Sequence, residues 1–143
     1  MRAYEVLIIP YLKQKKNLFA TFLCRGDVYW QPITGGGEEN EDILSAAMRE
    51  AYEEAGIEQN PEKYTKLQAC SMIPAPWLGE KKEQGKLLLP EYCFAVQRQT
   101  TDIQLSHEHT CVEWLPFEEA FARYRYEADK IALWELNERL NGY

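Results

Sequence analysis

A run of glycines followed by a long segment without helix breakers constrains this chain most. Three consecutive glycines, 35–37, permit backbone conformations and close approaches that side chains would forbid, and we predict a loop there. Residues 42–55 contain neither Gly nor Pro, Asn40 or Asp42 can cap the start, and Gly56 suits the position just beyond the end. These signals predict a helix over 42–55.

The apolar positions predict a sheet with helices packed on it. In the helix, Ile43, Ala47, Ala51 and Ala55 recur every four residues, so one face can pack closely on a sheet. Apolar and β-branched runs predict strands at 4–11, 18–24, 64–73, 87–97 and 110–115. Further helices are predicted at 116–120 and 129–140. The first two strands are expected to form a hairpin. The order of elements predicts a mixed α/β fold.

Length and charge restrict the class of protein. The chain has 143 residues, of which 45% are hydrophobic and 27% charged, so we expect one globular domain over 1–143. The net charge of −7 repels nucleic-acid backbones and anionic membranes. We therefore expect neither nucleic acid nor membrane as a partner. An acidic protein can still act on an anionic small molecule when divalent cations bridge the two.

The cysteines and the apolar stretches predict an intracellular environment. Cys24, Cys70, Cys93 and Cys111 lie far apart without zinc-ligand spacing, and we expect them to be reduced, buried thiols. No apolar stretch approaches the roughly 20 residues of a membrane helix. The expected location is cytoplasmic.

Three carboxylates share one arc of the predicted helix. Glu50, Glu53 and Glu54 occupy relative positions 0, +3 and +4, where like charges repel one another. A hard divalent cation such as Mg²⁺ or Mn²⁺, bound by these oxygens and bridging them to substrate phosphates, would explain the cluster. A solvated, Glu-rich helix face is the alternative, and the helix alone leaves both open.

The wider spacing resembles a known signature. The pattern is Gly35, five residues, Glu41, seven residues, Arg49-Glu50-Ala51-Tyr52-Glu53-Glu54, one residue, and Gly56-Ile57. It resembles the Nudix box at all nine defined positions, with Ala51 and Ile57 at the aliphatic ones. The resemblance implies the Nudix fold, an α/β/α sandwich with a central mixed sheet. It also implies a metal-dependent hydrolase acting on substrates that contain a nucleoside diphosphate or a similar diphosphate.

The resemblance implies a role for each box residue. Glu50, Glu53 and Glu54 would be metal carboxylates, the carbonyl of Gly35 another metal ligand, and Arg49 the residue that orients the glutamates. Glu41 would brace the loop or reach the metal through water. Its alternative role is that of an acid near the first turn, favoured by the helix dipole.

Segments outside the box resemble the dihydroneopterin triphosphate and dATP pyrophosphohydrolase branch of the family. They are residues 30–35 before the box, and Glu108-His109 and Trp114-Leu115 after it. By this resemblance Glu108 supplies a further metal carboxylate or the base that activates water, and an exposed loop acid is the alternative. The general base stays open among Glu50, Glu53 and Glu108.

Several residues are candidates for binding the substrate. Arg25 could hold a phosphate bidentately or be a surface arginine. Lys81 and Lys82, in a predicted mobile loop between Pro74 and Gly85, could fold over a polyphosphate or simply favour solubility. Trp77 in the same loop is the best candidate to stack on a base, whereas we expect Trp30 in the core.

The sequence thus predicts a divalent-metal-dependent pyrophosphohydrolase. Its expected substrate is a small-molecule nucleotide or pterin polyphosphate, such as dihydroneopterin triphosphate or dATP, with pyrophosphate released. The alternatives are a hydrolase of dinucleoside polyphosphates or ADP-sugars, and a non-catalytic nucleotide sensor. Tyr124, Tyr126 and Trp134 could form a homodimer face, although core packing would also explain them.

Overall fold

The computed structural model describes residues 2–26, 28–79 and 85–142. The strands within these residues are β1 Arg2–Leu12, β2 Leu18–Cys24, β3 Trp30–Gln31, β4 Ile33–Glu38, β5 Tyr64–Pro74, β6 Leu88–Arg98 and β7 His109–Leu115. The α-helices are α1 Ile43–Ala55, α2 Phe117–Arg123 and α3 Glu127–Leu140. Short 3-10 helices lie at Pro61–Lys63 and Ala75–Leu78.

The strands form one mixed sheet in the order β3-β2-β1-β6-β5. Strand β4 pairs with the first part of β1, and β7 pairs with β2. The pairing of β1 with β6 is parallel and places Glu5 beside Glu91, whereas the other pairings are antiparallel. The long strand β1 is therefore the centre of the sheet.

Because successive side chains of β1 point to opposite faces of the sheet, β1 contributes to a hydrophobic core on each face. Val6 and Ile8 pack with α1, whose contact surface is made of small alanines. Leu7 and Ile9 point to the opposite face and pack with α2 and α3. The sheet thus lies between two helical layers, and the predicted α/β/α sandwich is confirmed.

Helix α1 forms as its end signals predict. The Asp42 side chain caps it by accepting a hydrogen bond from the backbone N–H of Ser45 at 3.2 Å. Gly56 ends it with a left-handed φ of 69°, and its N–H donates to carbonyls of the last turn. Of the two candidate caps, Asp42 is the one used.

The prediction of a loop at glycines 35–37 is wrong. These residues lie in β4, opposite Val6, Glu5 and Tyr4 of β1. Because they have no side chains, other side chains occupy the space beside them: a Cβ on Gly36 would overlap Arg2, and one on Gly37 would overlap Tyr4. The glycines therefore allow close approach within a strand rather than the turning of a loop.

Burial corrects the predictions for several cysteine and aromatic side chains. Cys24 and Cys93 are buried, but Cys70 is exposed and Cys111 only partly buried, so thiol burial was predicted correctly for two of the four. Trp30 is partly buried rather than part of the core, and the Arg123 guanidinium lies 4.4 Å from its ring centre.

The C-terminal helices and the short segment between them carry both buried and exposed aromatic residues. Tyr124 is a core residue whose hydroxyl donates to the Ala20 carbonyl at 2.9 Å. Tyr126 and Trp134 are exposed, and their part in a homodimer stays a prediction. Among the described residues, no helix has the length and apolar character needed to cross a membrane.

Candidate active site

The Glu50 side chain is packed against the glycine strand. A methyl group on Gly35 would overlap the Glu50 carboxyl group, which therefore fills the space beside that α-carbon. The side chain is only 12% exposed. Burial, together with the charges of Glu53 and Glu108, raises the pKa of Glu50, whereas its contact with Arg49 acts in the opposite direction.

Arg49 joins three parts of the site. Its Nε and Nη2 donate to the two carboxylate oxygens of Glu41 at 2.8 and 2.9 Å. Its Nη2 also donates to the Gly36 carbonyl at 2.8 Å, and its Nη1 to Glu50 at 2.9 Å. One guanidinium thus links the segment before α1, strand β4 and a buried carboxylate, as a planar group with five donors can.

Both carboxylate oxygens of Glu41 accept hydrogen bonds from Arg49. The hydrogen bonds from Arg49 hold the pKa of Glu41 below its usual range. Its Oε1 also accepts from the Glu38 backbone N–H at 3.3 Å. Of the roles considered for Glu41, these contacts favour bracing of the loop.

Glu54 lies at the buried end of the glutamate cluster. Its side chain is 8% exposed and accepts a hydrogen bond from the Ser106 hydroxyl at 2.8 Å. Burial raises the pKa of Glu54 to about 7, and the charge of the nearby Glu108 carboxylate acts in the same direction. His109 Nδ1 lies 3.6 Å away, and burial lowers the pKa of this histidine, which favours its neutral form.

Arg25 and Glu108 meet where β2 ends beside the loop that precedes β7. The Arg25 backbone N–H donates to the Glu108 carbonyl at 3.0 Å, and its guanidinium donates to the His107 carbonyl. The loop is thereby tied to the end of β2, with the exposed Glu108 carboxylate close enough to affect Glu50 and Glu54. Arg25 therefore holds Glu108 near the helix.

Glu53 is the most exposed of the three helix glutamates, with 52% of its side chain accessible. Within the described part of the chain, its side chain is held by contacts of 3.5 Å with Arg49. Among the described residues, no three acidic, histidine or cysteine side chains converge at metal-binding distances.

The donor set nevertheless fits a hard divalent cation. The charge of Glu108 raises the pKa of both Glu50 and Glu54, and the charge of Glu50 also raises that of Glu54, which indicates negative charge that is not fully compensated. Mg²⁺ and Mn²⁺ prefer such oxygen ligands. The close packing of Glu50 on Gly35 leaves no side chain between that carboxylate and the backbone of β4.

The residues predicted to bind substrate are divided between two places. Arg25 contacts the loop that carries Glu108, whereas Trp77 belongs to the 3-10 helix Ala75–Leu78, is 77% exposed and lines a separate cavity. Lys81 and Lys82 lie outside the described residues. The predicted mobile loop thus begins with an ordered helical turn.

Sequence reasoning missed three buried acids in this cavity. Glu5, Glu91 and Asp129 line it and are each at least 95% buried. The available signal was an acidic residue inside each of two otherwise apolar strands, at Glu5 and Glu91. Their convergence depends on the parallel pairing of β1 with β6 and on the docking of α3.

Comparison with known proteins agrees with this geometry. The model of the NUDIX domain family matches residues 1–134. A protein described as a NUDIX hydrolase from Listeria monocytogenes has a crystal structure with a TM-score of 0.86 and 32% identity, covering 96% of this chain and 94% of that one. The E. coli dihydroneopterin triphosphate pyrophosphohydrolase superposes with a TM-score of 0.74 and 24% identity, over 95% and 97% of the two chains.

A curated relative matches over a shorter segment. The asymmetrical bis(5'-nucleosyl)-tetraphosphatase of Caenorhabditis elegans is 35% identical over 92 residues. That match covers 64% of this chain and 62% of the relative. The chain belongs to the Nudix family, and the prediction that it is a Nudix hydrolase, an enzyme acting on pyrophosphate bonds, is confirmed.

Proposed function

We propose that this Nudix hydrolase cleaves a pyrophosphate bond in a nucleoside triphosphate or a related polyphosphate and releases pyrophosphate. Dihydroneopterin triphosphate and dATP are the substrates that the box and its flanking segments favour. The observation that carries the proposal is the Arg49 network, which holds Glu50 against β4 next to Glu53 and Glu54.

The residues present are suited to a divalent cation held by Glu50, Glu53 and Glu54, with the Gly35 carbonyl and Glu108 as further donors. When bound, Mg²⁺ or Mn²⁺ would neutralise the diphosphate and make an attacking water more acidic. Arg49 would fix the orientation of Glu50 through the whole reaction, because Glu41 and Gly36 anchor the guanidinium from behind.

A carboxylate must take the proton of the attacking water. Glu53 and Glu108 are exposed, so water can reach them, whereas one oxygen of Glu50 accepts from Arg49. These contacts favour Glu53 or Glu108 as the proton acceptor. Arg25, beside Glu108, is placed to meet a phosphate of a substrate bound there.

A second candidate substrate is a dinucleoside polyphosphate. It is favoured by the 35% identity to the nematode tetraphosphatase, over the segment that includes much of this chain. Cleavage would use the same carboxylates, since the bond is again a phosphoanhydride. The difference between the candidates lies in what binds beyond the phosphates.

The experiment is a panel of substrates with and without metal. Nucleoside triphosphates, dihydroneopterin triphosphate, diadenosine tetraphosphate and ADP-ribose are incubated with Mg²⁺, Mn²⁺ or EDTA, and the products are identified by phosphorus NMR. Metal-dependent release of pyrophosphate from a triphosphate supports the proposal. Turnover of diadenosine tetraphosphate alone supports the second candidate, and tight binding without turnover of any compound would indicate a sensor.

A further inference from the structure

The His109 side chain lies between the sheet and the glutamate cluster and is 2% exposed. Its ring packs against Phe22 of β2, with the ring centres 5.3 Å apart. Its Nε2 lies 3.4 Å from the side-chain nitrogen of Gln31, and its Nδ1 lies 3.6 Å from Glu54 Oε2. The imidazole therefore stands between a side chain of β3 and a carboxylate of α1.

A bulge in the sheet gives His109 this position. Along most of β2 the pairing with β7 has one register, which would place Thr110 opposite Cys24. The register shifts after Leu23, and His109 is opposite Cys24 instead. Opposite residues of two paired strands point to the same face of the sheet, and Phe22, two residues before Cys24, points to the face that packs on α1. The bulge thus turns the imidazole toward α1.

The hydrogen bond at Nε2 assigns the tautomer of His109. A neutral imidazole has one N–H and one acceptor nitrogen, and the bond made by one nitrogen decides which of the two carries the proton. The amide nitrogen of Gln31 can only donate, so His109 Nε2 accepts. The proton is thereby assigned to Nδ1, the nitrogen that faces Glu54.

The Nδ1 atom is buried and has no hydrogen-bond partner within the described part of the chain. At 3.6 Å, Glu54 Oε2 lies just beyond hydrogen-bond distance from it. A buried N–H without a partner is costly, and a bond to a carboxylate is stronger than one to a neutral group, so a small approach of the two side chains is favoured. Because Oε2 already accepts from the Ser106 hydroxyl at 2.8 Å, a second donor there would hold this oxygen toward the protein and leave Oε1 for a cation.

We propose that Gln31 and His109 are positioning residues for Glu54. Gln31 donates to His109 Nε2 and fixes the proton on Nδ1, and the Nδ1–H donates to Glu54 Oε2 when that carboxylate binds a divalent cation. This inference rests on the proposed function, in which Glu54 is a metal ligand. His109 acts through Glu54 and itself binds neither the cation nor the substrate.

Nitrogen-15 NMR of the imidazole rings measures the tautomer directly, at about pH 8, above the ordinary histidine pKa. The chain has 2 histidines, so His107→Gln, which replaces an exposed one, leaves the signals of His109 alone. We expect a protonated Nδ1 and an unprotonated Nε2, both in EDTA and with Mg²⁺. Adding Gln31→Met removes the donor to Nε2 and should add signal from the Nε2–H tautomer. A protonated Nε2 in the presence of Gln31, or a spectrum that Gln31→Met leaves unchanged, would overturn the inference.

Two substitutions of His109 separate its hydrogen bond from its packing. Relative to the backbone, the side-chain nitrogen of Asn can stand where Nδ1 stands, and that of Gln where Nε2 stands. His109→Asn therefore keeps a donor to Glu54, whereas His109→Gln does not. We expect the affinity for Mn²⁺, measured by electron paramagnetic resonance, to fall at least about tenfold in His109→Gln and less than about threefold in His109→Asn. His107→Gln is the matched control and should bind Mn²⁺ as the unmodified protein does.

Both His109 variants remove the ring that packs on Phe22, so a loss caused by packing alone would be equal in the two. Thermal melts check that each variant is folded, and the tautomer measurement needs neither of them. Equal Mn²⁺ affinities of the two folded variants, a greater loss in His109→Asn, or no Mn²⁺ binding by the unmodified protein would overturn the inference.

The outcome separates this inference from the proposed function. A protonated Nδ1 and unequal Mn²⁺ affinities of the two variants, without hydrolysis of any polyphosphate, would support the positioning of Glu54 and contradict the hydrolase proposal. Metal-dependent hydrolysis by a protein whose His109 carries its proton on Nε2 would support the hydrolase and contradict the positioning.

Discussion

The Glu50 carboxyl group occupies the space that a side chain on Gly35 would fill. Residue 35 is thus a glycine because a carboxylate from α1 must reach the backbone of β4. The backbone of Gly35 is not in the left-handed region, so its conformation by itself would accept alanine. The closest conflict is between the methyl group and the Glu50 side chain.

Replacing Gly35 by alanine should therefore displace Glu50 and lower turnover by about 100-fold, since small displacements at a reacting centre have effects of this size. The matched control is Gly36→Ala, whose methyl group would meet the Arg2 side chain instead. Steady-state kinetics of the two variants check this. Equal turnover in the two variants would show that the position of Glu50 is unimportant.

Arg49→Lys should be nearly as harmful as Arg49→Ala. An ammonium group cannot donate simultaneously to both Glu41 oxygens, the Gly36 carbonyl and Glu50. We expect a loss of roughly 1–3 kcal/mol in the free energy of unfolding and a large fall in kcat. Urea denaturation and kinetics measure the two effects, and a lysine variant with normal kcat would refute the role of Arg49 in orienting Glu50.

Ser106→Ala removes the hydroxyl that donates to Glu54 and accepts from the Glu108 backbone N–H. The Glu54 carboxylate then loses this donor and the Glu108 N–H loses this acceptor, and we expect weaker affinity for Mn²⁺, measured by electron paramagnetic resonance. Ser45→Ala at the start of α1, far along the helix from Glu54, is the control. Unaltered Mn²⁺ affinity in Ser106→Ala would place Glu54 and Glu108 outside the metal site.

The buried cavity acids make stability depend on pH. The folded-state pKa values of Asp129, about 8, and Glu91, about 7, lie above their ordinary values, so the folded protein binds more protons than the unfolded chain between about pH 4 and 8. These two groups therefore do not lower the free energy of unfolding below about pH 4, and they lower it progressively as the pH rises to about 8. The charges facing Asp129 are those of Glu91 and Lys130, which act in opposite directions.

Asp129→Asn should accordingly stabilise the protein, and by more at pH 8.5 than at pH 5. The difference is expected to be on the order of a few kcal/mol, or roughly 5 °C or more in Tm. Thermal melts at the two pH values, with Glu127→Gln as the control, check this. A stabilisation that is equal at both pH values would contradict the raised pKa of Asp129.

Local signals were sufficient to predict the helix and most strands. The Asp42 cap, the left-handed Gly56 and the alanine face together specify α1, and strands β1 and β2 follow from unbroken apolar runs. The spacing of the box residues also placed Arg49 and the glutamates on one helix. These features depend on residues close together in the chain.

Other features could not be predicted because they depend on distant pairings. Glycine has low strand propensity, and β4 exists because β1 pairs with it and because neighbouring side chains need its empty positions. The cavity acids stand at positions 5, 91 and 129, and no local pattern in the sequence relates these positions. The fold brings them together. The position of Arg25 against the loop of Glu108 likewise joins residues 82 or more positions apart.

The most direct test of the account is pyrophosphate release by Glu53→Gln in the presence of Mg²⁺. The matched control is Glu58→Gln, an exposed glutamate just beyond the end of α1. We expect the Glu53 variant to remain folded and to lose at least about 100-fold in kcat on the best triphosphate substrate, whereas the control keeps the rate of the unmodified enzyme. A Glu53→Gln enzyme with a normal, Mg²⁺-dependent rate would contradict the proposal that this glutamate cluster carries out the hydrolysis.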